Sequence, residues 1–374
     1  MGLQGNKYFT GRTIFLISPE AWNFVYVSKH HYAMELAKRG NKVFFIQPPR
    51  PDIDMDVVIQ PVTGIDNLFL VEYKPLIRGL RFLPAFVMHL VERKFLRKLE
   101  RLATVQFDTI LNFENSRFYD FRFAPNGVKK IYFQVDEDQN YHPVKASTTS
   151  DITFTINEYI LNLLKPYQPN IFRITHSFHG CLSSEAQMIL DGGGAFPVTK
   201  KTITAAYVGN IDNAYVEKNI LLQLIKDNPE VVFKLVGPYN KETYRLFEPY
   251  TNIKLTGKVD YKDIPLLLMD ADILLLLLNK RFLGSSHKMM EYLASGKVII
   301  STAIEDYSGA DHLINIASGK EDYLQKFKDI KENISKYNTS DKMKERIMYA
   351  MERTYSRNLD RIDAYIDVGQ GSES

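Results

Sequence analysis

The sequence predicts an α/β protein built from two doubly wound, Rossmann-like domains facing a central cleft. Three observations carry that expectation. Short apolar runs alternate with helix-like stretches along most of the chain, the signature of parallel strands covered on both faces. The alternation breaks at DGGGAFPVTKK (191–201), where three glycines, a proline and a basic doublet make poor helix or strand, and then it restarts. A chain of 374 residues is also too long for one average domain and comfortable for two. The expected partition is an N-terminal domain over 1–190, a linker over 191–201 and a C-terminal domain over 202–350. A last helix over 351–374 is free to pack back on the first domain.

The elements follow in order. TIFLIS (13–18) leads to SKHHYAMELAKRG (28–40), an amphipathic helix with Ser28 as its cap and Gly40 as its stop. KVFFIQ (42–47) closes on Pro48 and Pro49; VVIQPV and LFLVEY form a weaker pair, and a long helix covers about 83–103. DTILNFE (108–114), KKIYFQV (129–135), DITFTI (151–156) and IFRIT (171–175) are the remaining strands of the first half. After the linker come ITAAYVG (203–209), helix 214–227, VVFKLVG (231–237), helix 240–249, NIKLTG (252–257), helix 261–269, DILLLLL (272–278), helix 286–295 and KVIIST (297–302). The last sixty residues read as charged and mostly helical. Three strands of this half end in Gly, where backbone can approach a ligand beyond the carboxyl end of a parallel sheet; a single such Gly more often just supplies a tight turn.

Composition narrows the function classes. Hydrophobic residues make up 45% and charged residues 24%, and the net charge of +3 gives no electrostatic reason to expect nucleic-acid binding. Cys181 is the only cysteine, so neither an intramolecular disulfide nor a cysteine metal site can form. The N-terminal stretch lacks a signal-like apolar region, and the longest apolar run, ILLLLL at 273–278, is too short to span a bilayer. A cytoplasmic location is the resulting expectation.

The segment SSHKMMEYLASGK (285–297) is the most informative stretch. On a helix, Met289, Met290, Leu293 and Ala294 gather on one side, and Lys288, Glu291 and Ser295 line up on the other. Lys288 falls in the first turn, where free backbone N–H groups favour an anion, and Ser285, Ser286 and His287 precede it with further donors. Glu291 lies roughly 4.5 Å further along the axis, and a carboxylate can accept both hydroxyls of a cis-diol. The pair reads as a nucleoside diphosphate site, Lys288 on phosphate and Glu291 on ribose. The plainer alternative is a surface ion pair worth about 0.2–0.5 kcal/mol; the flanking strands and the Gly-ended neighbours favour the site.

With those residues in hand, SSHKMMEYLASGKVIIST resembles the donor motif of GT-B glycosyltransferases, S-x-x-K-x-x-E-Y-x-A-x-G-x-P-V-[IV]-x-[ST]. AAYVGNID, FKLVGP and IKLTGKVDYKDIPLLLMDADILLLLLNK are similar to further parts of that C-terminal domain, so the likeness covers about 203–310. SKHHYAMELAKRGNKVFFIQPP and YFQVDED are similar, more loosely, to the N-terminal domains of bacterial polysaccharide and cell-wall glycosyltransferases, including the glucuronosyltransferase group of xanthan synthesis. The resemblance implies that Glu291 holds the ribose and Lys288 the diphosphate, with the Ser286 and His287 backbone also at phosphate. It implies Gly209 and Asn210 beside the phosphates or donor sugar, and Gly257, Lys258 and Val259 framing the base. Two departures concern it. Leu283 stands where retaining members often carry a second Glu, and Lys297 and Val298 stand where a proline is expected before the final strand.

Glycosyl transfer needs a stabilised leaving diphosphate, which Lys288 and the helix end supply without a metal, and a base for the acceptor hydroxyl. DxD-like triplets at 52–54, 54–56, 136–138 and 270–272 are expected by chance among 44 acidic residues, and no metal site is assigned. Asp136, after the strand KKIYFQV, is the base expected from the first domain, with Glu137 and Asp138 as neighbours that could serve instead or raise its pKa. His31, or its neighbour His30, opens the helix after the first strand and is a second catalytic candidate beside a helix-packing role. His176 or His179, in THSFHG, could face the donor. RGLRFLPAFVMHLVERKFLRKLER (78–101) sets seven Lys/Arg against two Glu around an apolar centre; it is either an ordinary solvated helix or a rest on the cytoplasmic face of the inner membrane.

The expectation is a cytoplasmic, metal-independent GT-B hexosyltransferase without a cofactor. Its partners are a UDP- or GDP-sugar donor and a glycan or lipid-linked acceptor used in surface polysaccharide biosynthesis. A non-hydrolysing nucleotide-sugar 2-epimerase and a non-catalytic sugar-nucleotide-binding partner protein are the alternatives.

Overall fold

The protein is described here as a computed structural model over residues 7–22, 26–136, 141–178, 180–192, 202–279, 286–302 and 310–370. It divides into two compact units, Met1–Thr175 with Tyr355–Ser374, and His176–Thr354. Each is an α/β unit around a largely parallel sheet.

The first unit holds strands β1 (Thr13–Ile17), β2 (Lys42–Ile46), β3 (Val57–Pro61), β4 (Leu68–Tyr73), β5 (Thr109–Asn112), β6 (Lys129–Gln134), β7 (Ile152–Thr155) and β8 (Ile171–Arg173). Their order is β3-β4-β2-β1-β5-β6-β7-β8, parallel throughout except for the β3–β4 pair. β1 lies between β2, in register Ile14↔Val43, and β5, in register Ile14↔Thr109. Both faces are covered. Phe15 and Ile17 enter one core while Ile14 and Leu16 enter the other, which is why TIFLI reads as unbroken apolar sequence rather than as an alternation.

The helix Tyr355–Gln370 belongs to this unit. Leu359, Ile362 and Ile366 are buried in the second of those cores. Arg39 reaches Asp363 at 3.1 Å, Asp360 at 2.9 Å and the Ser356 carbonyl at 2.6 Å. Asp363 in turn accepts the Phe9 N–H at 2.9 Å.

The second unit holds β9 (Thr204–Val208), β10 (Val232–Val236), β11 (Ile253–Gly257), β12 (Ile273–Leu276), β13 (Val298–Thr302) and β14 (Asn315–Ala317). The order β11-β10-β9-β12-β13-β14 is parallel at every pairing and matches the dinucleotide-fold order 3-2-1-4-5-6. β14 is a short edge strand inside the stretch expected to be helical.

The boundaries differ from those expected. Residues 176–190 fall with the second unit, because Ala186 and Ile189 of the helix Gly180–Leu190 pack against Met343 and Ile347 of the helix Ser340–Met351. The structure therefore passes from one unit to the other at Thr175 and back at Tyr355, not at 190 and 350. The linker expected at 191–201 lies, from 193 onward, outside the described residues.

Candidate functional site

Between β9 and β12 the strand order of the second unit reverses: the chain leaves β9 toward β10 on one side and β12 toward β13 on the other. Loops part at such a point and leave a crevice beyond the strands' carboxyl ends. The residue after β9 is Gly209, and the helix between β12 and β13 is His287–Ala294. They meet: a β-carbon on Gly209 would stand 2.1 Å from the Lys288 Nζ.

Three glycine-ended strands build the adjoining surface. Gly209 has φ +139° and Gly237 φ +141°, and the Gly209 N–H donates to the Val236 carbonyl at 2.8 Å. A β-carbon on Gly237 would come within 2.0 Å of the Gly209 carbonyl oxygen, so these two backbones pack in direct contact. The Gly237 N–H donates to the Gly257 carbonyl at 2.9 Å, which ties in β11.

The helix His287–Ala294 is more deeply set than its periodicity suggests. Met289, Met290, Tyr292, Leu293 and Ala294 are buried, and so are Glu291 and Ser295 on the opposite side of the helix. The cause is packing from beyond the sheet: after the helix, Gly296 lies against Met343 and Ile347, close enough that a β-carbon there would meet Met343 at 2.6 Å. Tyr292 fixes the helix to the switch point, its Oη accepting the Val208 N–H at 3.0 Å and donating to the Leu275 carbonyl at 3.3 Å.

Lys288 is thus a cation held in a largely apolar setting. Its Nζ donates to the Tyr207 hydroxyl at 3.1 Å and lies 4.7 Å from the centre of that ring. Burial lowers its pKa to about 8, against which the Glu291 carboxylate pulls upward. Glu291 itself is 7% exposed, three residues along the helix from Lys288.

The other expected residues of this unit fall around the same strand ends. Ser286 is the residue before the helix, and its carbonyl accepts the Met289 N–H at 3.0 Å. His287 is exposed, with its ring 6.2 Å from that of His176. Asn210 forms a side-chain turn, its Oδ1 accepting the Asp212 N–H at 3.0 Å. Lys258 is exposed after β11, and Val259 packs on the core that also holds Met289 and Met290. Ser285, Leu283 and His179 lie outside the described residues. Tyr207, whose hydroxyl receives Lys288, is absent from the motif reading. A tyrosine two residues before the Gly of YVG is the only trace of it in the sequence.

In the first unit, Asp136 follows β6 as expected, but its carboxylate is engaged. The Lys29 ammonium lies 2.6 Å from it and 3.2 Å from Glu20, with the Lys29 side chain 3% exposed. Lys29 lies in SKHHYAMELAKRG directly before the two histidines, and nothing in that sequence marks it. Glu137 and Asp138 lie outside the described residues. His30 has both ring nitrogens committed: Nδ1 accepts the Val27 N–H at 3.1 Å and Nε2 donates to the Ala21 carbonyl at 3.1 Å. Burial takes its pKa down to about 4, so it is a neutral packing residue. His31 is 7% exposed and stacks on Tyr355, centroids 5.0 Å apart, which places it in the seat of the C-terminal helix.

Comparison with known proteins bears on the fold and on the second unit. Residues 202–335 match the family Glycosyl transferases group 1. No curated protein sequence matches the chain. Among solved structures, a sucrose-phosphate synthase from Thermosynechococcus elongatus is similar at TM-score 0.64 and 12% identity, covering 97% of this chain and 100% of that one. A trehalose-6-phosphate structure from E. coli bound with UDP-2-fluoro glucose gives TM-score 0.65 and 12% identity over 96% of this chain and 99% of that one. WaaG, a glycosyltransferase involved in lipopolysaccharide biosynthesis, gives 0.59 and 10% over 94% and 98%. At these identities the solved structures speak for the fold, and the family match speaks for the second unit. The chain has the fold of GT-B glycosyltransferases, and residues 202–335 of its second unit match the Glycosyl transferases group 1 family, which supports a glycosyltransferase enzyme.

Proposed function

We propose that the protein transfers a hexose from a UDP- or GDP-sugar to a hydroxyl of a glycan or lipid-linked acceptor in surface polysaccharide assembly, at the cytoplasmic face of the membrane. One observation carries the donor half: Lys288 lies against Gly209 at the switch point of the second unit, with the Glu291 carboxyl one turn further on. In this reading the diphosphate settles over Gly209 and Asn210, where no β-carbon blocks the Gly209 backbone, and meets the ammonium and the first N–H groups of the helix. Ser286 and His287 contribute backbone there, Glu291 takes the ribose hydroxyls, and Gly257, Lys258 and Val259 frame the base. That a similar structure holds UDP-2-fluoro glucose favours UDP.

As the bond between the sugar's anomeric carbon and the diphosphate oxygen breaks, the electron pair stays on the diphosphate, which Lys288 neutralises. The acceptor oxygen forms the new bond and gives its proton to Asp136, held in place by Lys29. His31, packed on Tyr355, supports the first unit rather than the proton transfer. No metal enters this scheme. The stretch 78–101 makes peripheral contact with the membrane; among the described residues no helix is long and apolar enough to cross one.

The test is a thermal-shift screen over UDP-, GDP-, TDP- and CDP-sugars, because a ligand that binds only the folded state raises its melting temperature. A UDP- or GDP-sugar should shift the protein, and Lys288→Ala should abolish the shift. Conversion of the donor alone into an epimer would replace this reading with the isomerase.

A further inference from the structure

Three charged side chains of the first unit converge from separate elements. Lys29 opens the helix Ser28–Lys38, Glu20 stands on the segment after β1, and Asp136 follows β6. The Lys29 ammonium lies 2.6 Å from Asp136 and 3.2 Å from Glu20. Asp136 is about half-exposed and Glu20 somewhat less, while Lys29 is buried. Water therefore reaches the carboxylates but not the cation between them, and the group carries one negative charge in excess.

Glu20 is firmly held for a residue outside regular structure. The buried Ser18 hydroxyl donates to the Glu20 carbonyl at 2.9 Å and accepts the Glu20 N–H at 3.1 Å. The Ser18 N–H donates to the Ile46 carbonyl at 3.1 Å, and the Ser18 carbonyl accepts from the Arg117 guanidinium at 2.8 Å. The same guanidinium donates to the Gln47 carbonyl at 3.0 Å and pairs with Glu114. The seat of Glu20 is thus tied to the ends of β1, β2 and β5.

Proton transfer to Asp136 creates a difficulty that this arrangement resolves. As Asp136 takes the acceptor's proton, it loses the charge that offsets Lys29. A buried ammonium left without a counter-ion is costly, and that cost opposes the transfer. With Glu20 in place the ammonium still faces a carboxylate, so the group passes from one excess negative charge to neutrality. The O–H bond of the acceptor breaks as an O–H bond forms on Asp136, and Lys29 keeps its protons throughout. Neighbouring groups are otherwise engaged. His30 is neutral and bonded to backbone through both ring nitrogens, His31 stacks on Tyr355, and Arg117 is paired with Glu114.

We propose that Glu20 is a positioning residue for the transfer, taking over Lys29 as its counter-ion when Asp136 becomes protonated and so keeping Asp136 able to accept a proton. This deepens the transferase reading above and rests on Asp136 as its base.

Carbon-13 NMR of protein labelled only in its aspartate carboxyls tests the proposal. The Asp136 signal is identified by its loss in Asp136→Asn and followed through a pH titration. In Glu20→Gln the ammonium belongs to Asp136 alone, so the titration midpoint should fall by at least half a pH unit, about threefold in proton affinity. Glu20→Asp keeps the charge and should recover most of that shift, which a purely structural role of Glu20 would not predict. Lys29→Met should move the midpoint upward by at least half a unit, and the Glu20 variants carry the test alone if this variant does not fold. Melting temperatures certify the fold of each variant. Equal midpoints in Glu20→Gln and the unaltered protein, or equal shifts in Glu20→Gln and Glu20→Asp, overturn the proposal. The expected midpoints in a protein whose melting temperature no nucleotide sugar raises overturn the transferase reading instead.

Discussion

Raising the pH from 7 to 9 should loosen the hold of the second unit on a nucleoside diphosphate while favouring the fold itself. The cause is Lys288, whose pKa burial lowers to about 8 from the ordinary 10.5. Only its ammonium form attracts phosphate. At a pKa near 8 the charged fraction falls from about 0.9 to about 0.1 across this range, so affinity for UDP should drop about tenfold, or ~1.4 kcal/mol. The diphosphate is already ionised over this interval, its last proton leaving near pH 6 by analogy with phosphate monoesters. Binding should therefore draw a proton onto the lysine, about half a proton per UDP at pH 8. Calorimetry in two buffers of different ionisation enthalpy reads both quantities at once. The effect on folding has the opposite sign. Between about 8 and 10.5 the unfolded chain holds the Lys288 proton and the folded chain has released it, so this group's contribution to stability increases with pH. General alkaline damage would weaken both. Lys288→Met should flatten both slopes. Affinity independent of pH between 7 and 9, with no proton uptake at pH 8, would refute the reasoning.

Three further outcomes follow from the same geometry. Glu291→Gln keeps the shape of a buried side chain but replaces an acceptor-only carboxylate with an amide, and should weaken UDP at least tenfold in the same calorimetry. Gly237→Ala drives a β-carbon into the Gly209 carbonyl at a φ of +141°, so chemical denaturation should show a loss on the order of 1–3 kcal/mol. Arg39→Ala strands the Asp363 carboxylate, whose side chain is 5% exposed; urea unfolding should show a loss of roughly 3 kcal/mol, with Tyr365 amide exchange accelerated.

Most of the sheet was legible because parallel strands buried on both faces are short apolar runs, and TIFLI, TAAYV and VIIST stand out as such. β14 was not, since Asn315–Ala317 is a three-residue edge strand with nothing periodic to mark it. The boundary near 175 was hidden for another reason. The helix Gly180–Leu190 ends close to a glycine-rich break that advertises itself as a linker, whereas what assigns it to the second unit is contact with Met343 and Ile347, far along the chain. At the site, the spacing of Lys288 and Glu291 was readable, but the depth of their helix was not, because the covering side chains come from Ser340–Met351. The adjacent histidines show the limit most clearly. Nothing in HH distinguishes His30, locked between two backbone groups, from His31, stacked on a tyrosine more than three hundred residues later.

The return of the helix Tyr355–Gln370 to the first unit has a consequence for biosynthesis. The core around Leu36 and Phe133 includes Leu359, Ile362 and Ile366, so it stays open at one wall until the ribosome has translated nearly everything that lies between. The second unit can close on its own as it emerges; the first must wait. During that interval an unfinished apolar face is on display, and a chaperone that occupies such faces would find its target there.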